Sequence, residues 1–213
     1  MLELFIKAAL AYLLGSMLGG LIVGKLKGGV DIRQQGSGNA GGTNALRTQG
    51  WWFALWVMII DIGKGWLAVQ VIPSLGLFTA TSVVSLVWMQ IACAMAVVVG
   101  HVYPIWFGFR GGKGAATLVG VVAGLAPTAL VSVLGAWIVV LLLSGFVGLS
   151  TMLATVAFNV WAFAQPSVDK YALLIFGATM LVFVVYTHRS NIQRMRAGTE
   201  NRAKKLWLFK PKA

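Results

Sequence analysis

Apolar residues run along this chain in long blocks, broken by short polar segments rather than alternating with them. Blocks near 20 residues match what a helix needs to cross a bilayer core of roughly 30 Å. The first runs from Leu4 to Val23, a second covers 51–72 and a third 79–99, the last two separated by "PSLGLF", where Pro73 and Gly76 break the helix. From Gly114 to Gln165 the chain is apolar on every face, so periodicity cannot divide it. Breakers can: "GLAP" at 124–127 and "SGFVG" at 144–148 predict two tight turns and three rather short spans. A last span, Tyr171 to Thr187, follows the polar "QPSVDK" connection. The pattern predicts an all-α polytopic membrane protein with seven transmembrane helices, read as one domain over residues 1–213.

Charge gives the pattern an orientation. Only 10% of residues are charged, against roughly 25% in soluble domains. Lys25, Lys27, Arg33, Arg47, Arg110, Lys113 and the basic tail beyond Tyr186 fall between or after apolar blocks, and no charge lies between Ala115 and Val168. The positive-inside rule makes these segments cytoplasmic, with the N-terminus outside, in the periplasm, and the C-terminus cytoplasmic. Of the 17 Lys and Arg residues, Lys7, Lys64 and Lys170 alone fall elsewhere. An even number of crossings must separate the loop at Arg110 from the basic tail, and four fits where three does not. The net charge of +12 therefore reports topology and contact with the lipid bilayer, not nucleic acid. Cys93 stands alone in an apolar run and the five carboxylates are scattered, so neither a disulfide framework nor a metal site is implied. Glu3 and the length of the first block favour a retained span over a cleaved signal peptide.

Three polar segments, 36–50, 100–117 and 187–201, reach the same face by this crossing count, where helix packing would bring them together. In "GSGNAGGTNALR", Ser37, Asn39, Thr43 and Asn44 offer short polar side chains, and Gly38 and its neighbours offer backbone. Arg47 can grip an oxyanion with two nitrogens. In "GHVYPIWFGFRGGKGAAT", Gly111, Gly112 and Gly114 let backbone amides converge on an anion at a helix N-terminus, with Lys113 adding a full charge. Phe107 and Gly114 stand where a nucleotide P-loop needs Gly and Ser/Thr, so the reading is a phosphate cradle without a nucleotide or other cofactor. The third segment supplies His188, Arg189, Asn191 and Arg194, followed by Glu200. Each feature alone has a plainer explanation: a turn for the Gly/Ser/Asn loop, an interfacial ring for His101, headgroup contacts for Arg194, Arg196, Arg202, Lys204 and Lys205. Asp61 and Lys64, at i and i+3 deep in the second span, are either a buried structural pair or part of the site. The tryptophans, Trp51, Trp52 and Trp106 among them, fit an interfacial belt.

Taken together, "GSGNAGGTNALR", "DIGKG", "GHVYPIWFGFRGGKGAAT" and "HRSNIQRMRAGTEN" resemble the motifs of the bacterial PlsY family, the acyl-phosphate:glycerol-3-phosphate acyltransferases. Ala40 stands where the family often has proline, Gly42 where it often has alanine, and Tyr103 where phenylalanine is common. The resemblance implies a seven-helix inner-membrane enzyme with its site facing the cytoplasm. It would transfer an acyl group from acyl phosphate to the 1-hydroxyl of sn-glycerol 3-phosphate, giving lysophosphatidic acid and phosphate in the first acylation step of phospholipid synthesis. By the family's motifs Ser37, Asn39, Thr43 and Arg47 belong to a first functional region. Gly111, Gly112, Lys113 and Gly114 belong to a phosphate-binding second region, and His188, Asn191 and Glu200 to a third. Ser37, Arg47, Lys113 and His188 are the candidate catalytic residues; Gly38, Asn44 and His101 join the candidate binding residues. The His-x4-Asp pattern of other glycerolipid acyltransferases is absent, since Trp106 and Gln193 occupy its aspartate positions after His101 and His188. The proton acceptor is left open between His188 and the leaving phosphate. No obligate protein partner is implied. The competing class, a transporter or flippase for a phosphorylated solute or lipid, would need a polar path through the bilayer, for which Asp61 and Lys64 are the available charges.

Overall fold

The computed structural model describes residues 1–77, 84–166, 168–204 and 206–209. The expected start of the third crossing at residues 79–83 and the expected headgroup contact of Lys205 lie outside them. The chain forms two compact units, Met1–Pro127 and Thr128–Ala213.

In the first unit the expected single helix from Leu4 to Val23 is instead two: α1 (Leu2–Gly15) and α2 (Gly19–Leu26), bent by 44° at Ser16–Leu18. The next helix, α3 (Gly42–Gln49), ends at Gly50, whose φ of 86° turns the chain directly into α4 (Trp51–Gln70). The 20 residues of α4 reach about 30 Å, one bilayer core. Pro73 sits in the short 3₁₀ turn that follows. Two more helices, α5 (Leu86–Val102) and α6 (Ala115–Leu125), complete the unit. Helices α1 and α5 pack together, as do α4 and α6. At both crossings glycine lets the backbones meet. A Cβ on Gly15 would enter Val97 O and one on Gly100 would enter Tyr12 O, while Gly65 abuts Thr117 O and Gly120 abuts Ile62 O. Small residues of this kind are what membrane helices use to associate where lipid supplies no hydrophobic drive.

The second unit is a helical hairpin series: α7 (Ala129–Ser144), α8 (Val147–Ala164), α9 (Lys170–Thr187) and α10 (Arg189–Arg196). Helix α8 packs on both α7 and α9. The turns expected at 124–127 and 144–148 are where α6, α7 and α8 separate. Gly145 closes α7 in the left-handed conformation with its amide donating to Leu141 O at 2.8 Å, a common helix stop. Among the described residues four helical segments are long and apolar enough to cross a membrane: Trp51–Ser74, Leu86–Phe107, Val147–Ala164 and Lys170–Thr187. The bent α1–α2 pair makes a fifth if it is one span.

Candidate active site

The break between α1 and α2 explains the two charges buried in α4. Where α1 stops and α2 begins, carbonyls and amides lose their intrahelical partners. Lys64 Nζ donates to Gly15 O at 3.0 Å and to Met17 O at 2.8 Å, and Asp61 Oδ1 accepts from the Gly19 amide at 3.1 Å. The two side chains pair at 2.9 Å. Of the two alternatives open from the sequence, this geometry is the structural pair. Lys64 also meets His101 Nδ1 at 2.9 Å. An ammonium has no lone pair, so Nδ1 accepts, which assigns the neutral ring's proton to Nε2.

That ring is the floor of the second polar segment. His101 is 2% exposed, and a Cβ at Gly112 would collide with its Nε2. The amides of Gly111 and Gly112 donate to Val102 O and His101 O, both at 3.1 Å. The expectation that these glycines aim their amides at an anion is therefore corrected: they are laced to the end of α5. His101, expected among the binding residues, supports the loop from below. The lacing delivers Lys113 and Gly114 to the start of α6, where Gly114 takes φ 85° as N-cap. The first-turn amides and positive dipole end of α6, with the Lys113 ammonium, make the anion-favouring feature here.

The first segment is built around Asn44, 2% exposed. Its Nδ2 donates to Ile32 O at 2.8 Å, Asn39 O at 2.9 Å and Gln35 O at 3.0 Å, while Oδ1 accepts from the Ser37 amide at 2.9 Å. Asn44, expected to bind substrate, thus spends its amide on the loop itself. Asn39 Oδ1 accepts from the Gly41 amide at 2.9 Å, a local turn. Gly36 and Gly38 take positive φ. The result lifts Ser37 and Gly38 outward as exposed residues, and puts Thr43 and Arg47, one helical turn apart, on the exposed face of α3.

A pair not singled out from the sequence ties the two segments together. Asp31 holds Arg33 through both oxygens, to Nε at 3.0 Å and Nη2 at 2.8 Å, and caps the backbone by accepting from the Arg33 amide at 2.9 Å. Arg33 Nη1 then donates to Phe107 O at 3.1 Å and Arg110 O at 3.0 Å. The guanidinium holds the Asp31 carboxyl below its usual range, and the carboxylate in turn raises Arg33. The Asp-x-Arg spacing at the head of a Gly-rich loop was the available signal.

The third segment is organised within the second unit. His188, 4% exposed, sets Nδ1 against Val184 O at 2.8 Å, which makes that nitrogen the donor. Glu200 accepts from Asn191 Nδ2 at 2.7 Å and from Arg194 Nε at 2.6 Å, and Asn191 packs against Gly148. Two residues expected to meet headgroups have partners within the protein. Arg194 is paired to Glu200. Arg202 lies 4.0 Å from the Trp207 ring centroid and 4.3 Å from that of Phe146 while donating to Ser144 O at 3.1 Å, closing the end of α7.

Comparison with known proteins agrees with this architecture. The family profile for glycerol-3-phosphate acyltransferase matches residues 5–198. The glycerol-3-phosphate acyltransferase of Chlorobaculum tepidum is 39% identical over 219 residues, covering 90% of this chain and 93% of that protein. The corresponding protein of Chlorobium limicola is 38% identical over 228 residues, covering 95% and 97%. The crystal structure of PlsY, an integral membrane glycerol 3-phosphate acyltransferase, in its glycerol 3-phosphate form matches with a TM-score of 0.80 at 34% identity, covering 93% of this chain and 94% of that one. Its lysophosphatidic acid form matches with a TM-score of 0.80 at 32% identity, covering 97% and 99%. With sequence and fold both matched over almost the full length, the chain belongs to the glycerol-3-phosphate acyltransferase family.

Proposed function

We propose that this glycerol-3-phosphate acyltransferase takes its acyl group from an acyl phosphate and delivers it to the 1-hydroxyl of sn-glycerol 3-phosphate, at the cytoplasmic face of a bacterial inner membrane. The observation that carries the reading is the Arg33 bridge. It fastens the exposed Ser37, Thr43 and Arg47 to the body that presents Lys113 at the N-terminus of α6. Both substrates are phosphate anions, so they need cations and directed donors on one body, and an acyl chain needs a membrane beside it. In the reaction the hydroxyl oxygen bonds to the acyl carbon and the carbon–oxygen bond to phosphate breaks. Inorganic phosphate leaves with the electron pair. Lys113, Arg47 and the α6 amides neutralise the charge that develops. The anhydride is already activated, so no covalent enzyme intermediate is required. The leaving phosphate takes the hydroxyl proton, and His188, with Nδ1 committed to Val184 O, shapes the third segment. Asn191 and Glu200 contribute to substrate binding there.

The proposed topology counts α1–α2 as one crossing and adds α4, α5, α6, α7, α8 and α9, seven in all, with the N-terminus periplasmic. A transporter or flippase loses its support because Asp61 and Lys64 are spent on the break in the first span. The test is to incubate purified protein with glycerol 3-phosphate and either acyl phosphate or acyl-CoA. Phosphate and lysophosphatidic acid should form in equal amounts from acyl phosphate alone. Turnover with acyl-CoA only, or none with either donor, would overturn the donor assignment. For topology, Ser37→Cys in a Cys93→Ala background should react with a membrane-impermeant maleimide only once the cytoplasmic side is opened. Labelling from outside on intact cells would reverse the orientation.

A further inference from the structure

We propose that Arg33, held in its fork by Asp31, is a positioning residue that sets the first polar segment against the Gly-Gly-Lys segment. The inference rests on the acyltransferase reading above. Three observations carry it. First, every guanidinium nitrogen is committed: Nε and Nη2 to Asp31, Nη1 to two carbonyls 74 and 77 residues further along the chain. A surface ion pair that only decorated the loop would have no reason to reach across to another segment. A phosphate ligand would keep its fork open. Second, the turn it grips is strained. Gly108 is left-handed, and the next residue, Phe109, has φ 58°, the only non-glycine positive φ among the described residues. Such a conformation persists only where its surroundings hold it. Here the Phe109 amide donates to Pro104 O, and Arg33 holds the carbonyls of Phe107 and Arg110 on either side. Third, both ends of the bridge lead straight into the site. Arg110 precedes the glycines laced to α5 and then Lys113. On the other side Asp31 caps the 3₁₀ turn Ile32–Gln34, and the carbonyl of Ile32 is held by Asn44. One planar cation therefore fixes Lys113 relative to Ser37 and Arg47.

Lysine cannot reproduce this, because a single ammonium cannot span a carboxylate and two carbonyls in one plane. The experiment compares full-length wild type with Arg33→Lys, Arg33→Ala and Asp31→Asn. It measures phosphate release with each substrate varied, melting temperature, and deuterium uptake of the peptide covering residues 103–114. Misplacement of reacting groups should lower kcat about 10²-fold in Arg33→Lys and Arg33→Ala, with KM for glycerol 3-phosphate within about threefold. Asp31→Asn should lie between these and wild type, and uptake across Gly111 and Gly112 should rise in all three. Full rescue by lysine, a loss confined to KM, or unchanged uptake would overturn the assignment. If Arg33→Ala does not fold, Arg33→Lys and Asp31→Asn decide. If wild type itself does not use acyl phosphate, the functional reading fails, and the uptake comparison still judges the bridge.

Discussion

Replacing Asn44 with alanine separates a loop brace from a ligand contact. The side chain makes four polar contacts within 2.8–3.0 Å, one fully buried, to Ile32 O, and three partly buried, the two Nδ2 hydrogens serving three carbonyls. Alanine orphans the Ile32 carbonyl, at about 1–3 kcal/mol, and removes two further bonds with a net value of about 0.5–1.5 kcal/mol each, since the second Nδ2 hydrogen is shared between Gln35 O and Asn39 O. Water can reach part of the emptied space, so the expected loss is about 3–5 kcal/mol. For a chain of this size that corresponds to roughly 6–20 °C in apparent melting temperature. Tryptophan fluorescence of the detergent-purified protein at a fixed scan rate measures it, since membrane proteins often unfold irreversibly. Hydrogen exchange gives the local reading, because the Ser37 amide is protected by Asn44 Oδ1 and should lose protection in the variant. Asn44→Asp should be worse than alanine, since a carboxylate would face three carbonyl oxygens. An Asn44→Ala protein that melts like wild type, keeps Ser37 protected and shows only a raised KM for glycerol 3-phosphate would refute the brace and restore Asn44 as a substrate ligand.

Arg47→Ala and Lys113→Ala should each cost about 10²- to 10³-fold in kcat, with melting temperature nearly unchanged in the Arg47 variant because that side chain is exposed on α3. Wild-type turnover in either would remove that residue from the mechanism. His188→Asn keeps a donor toward Val184 O and should retain at least about a tenth of activity; a loss near 10⁴-fold would make His188 the general base. Acid should loosen the Arg33 bridge later than an ordinary carboxylate would predict. Asp31 is lowered by Arg33 in the folded state, so its contribution is complete above the unfolded value of about 3.9. The contribution is lost as pH falls through the lower folded value. Deuterium uptake of residues 103–114 between pH 5 and 3 should show this dependence in wild type and not in Asp31→Asn.

The apolar helices and the turns between them were legible because hydrophobic length and helix breakers act locally. Pro73, Gly145 and Pro166 each mark an end that the backbone obeys. The bend between α1 and α2 was not legible, since no residue from 15 to 19 forbids a straight helix. It is decided by Asp61 and Lys64, more than 40 residues away, which give the loose backbone groups partners. The same limit applies to the site. Polar residues in the first and second segments announced donors for anions, yet sequence could not separate those facing outward, Ser37, Thr43 and Arg47, from those turned inward, Asn44 and His101. A Gly-rich loop needs its own internal braces, and these use the same residue types as ligand binding. Arg33 was hidden for the opposite reason. One basic residue in a loop between apolar blocks looks like every other until its three nitrogens are given partners.

The bend between α1 and α2 also bears on the order in which the chain can fold. When residues 15 to 19 leave the ribosome, the groups that complete them have not been made. Lys64 follows Gly15 by 49 positions and His101 follows Lys64 by another 37. The nascent N-terminal segment therefore waits in an unfinished state until α4 joins it.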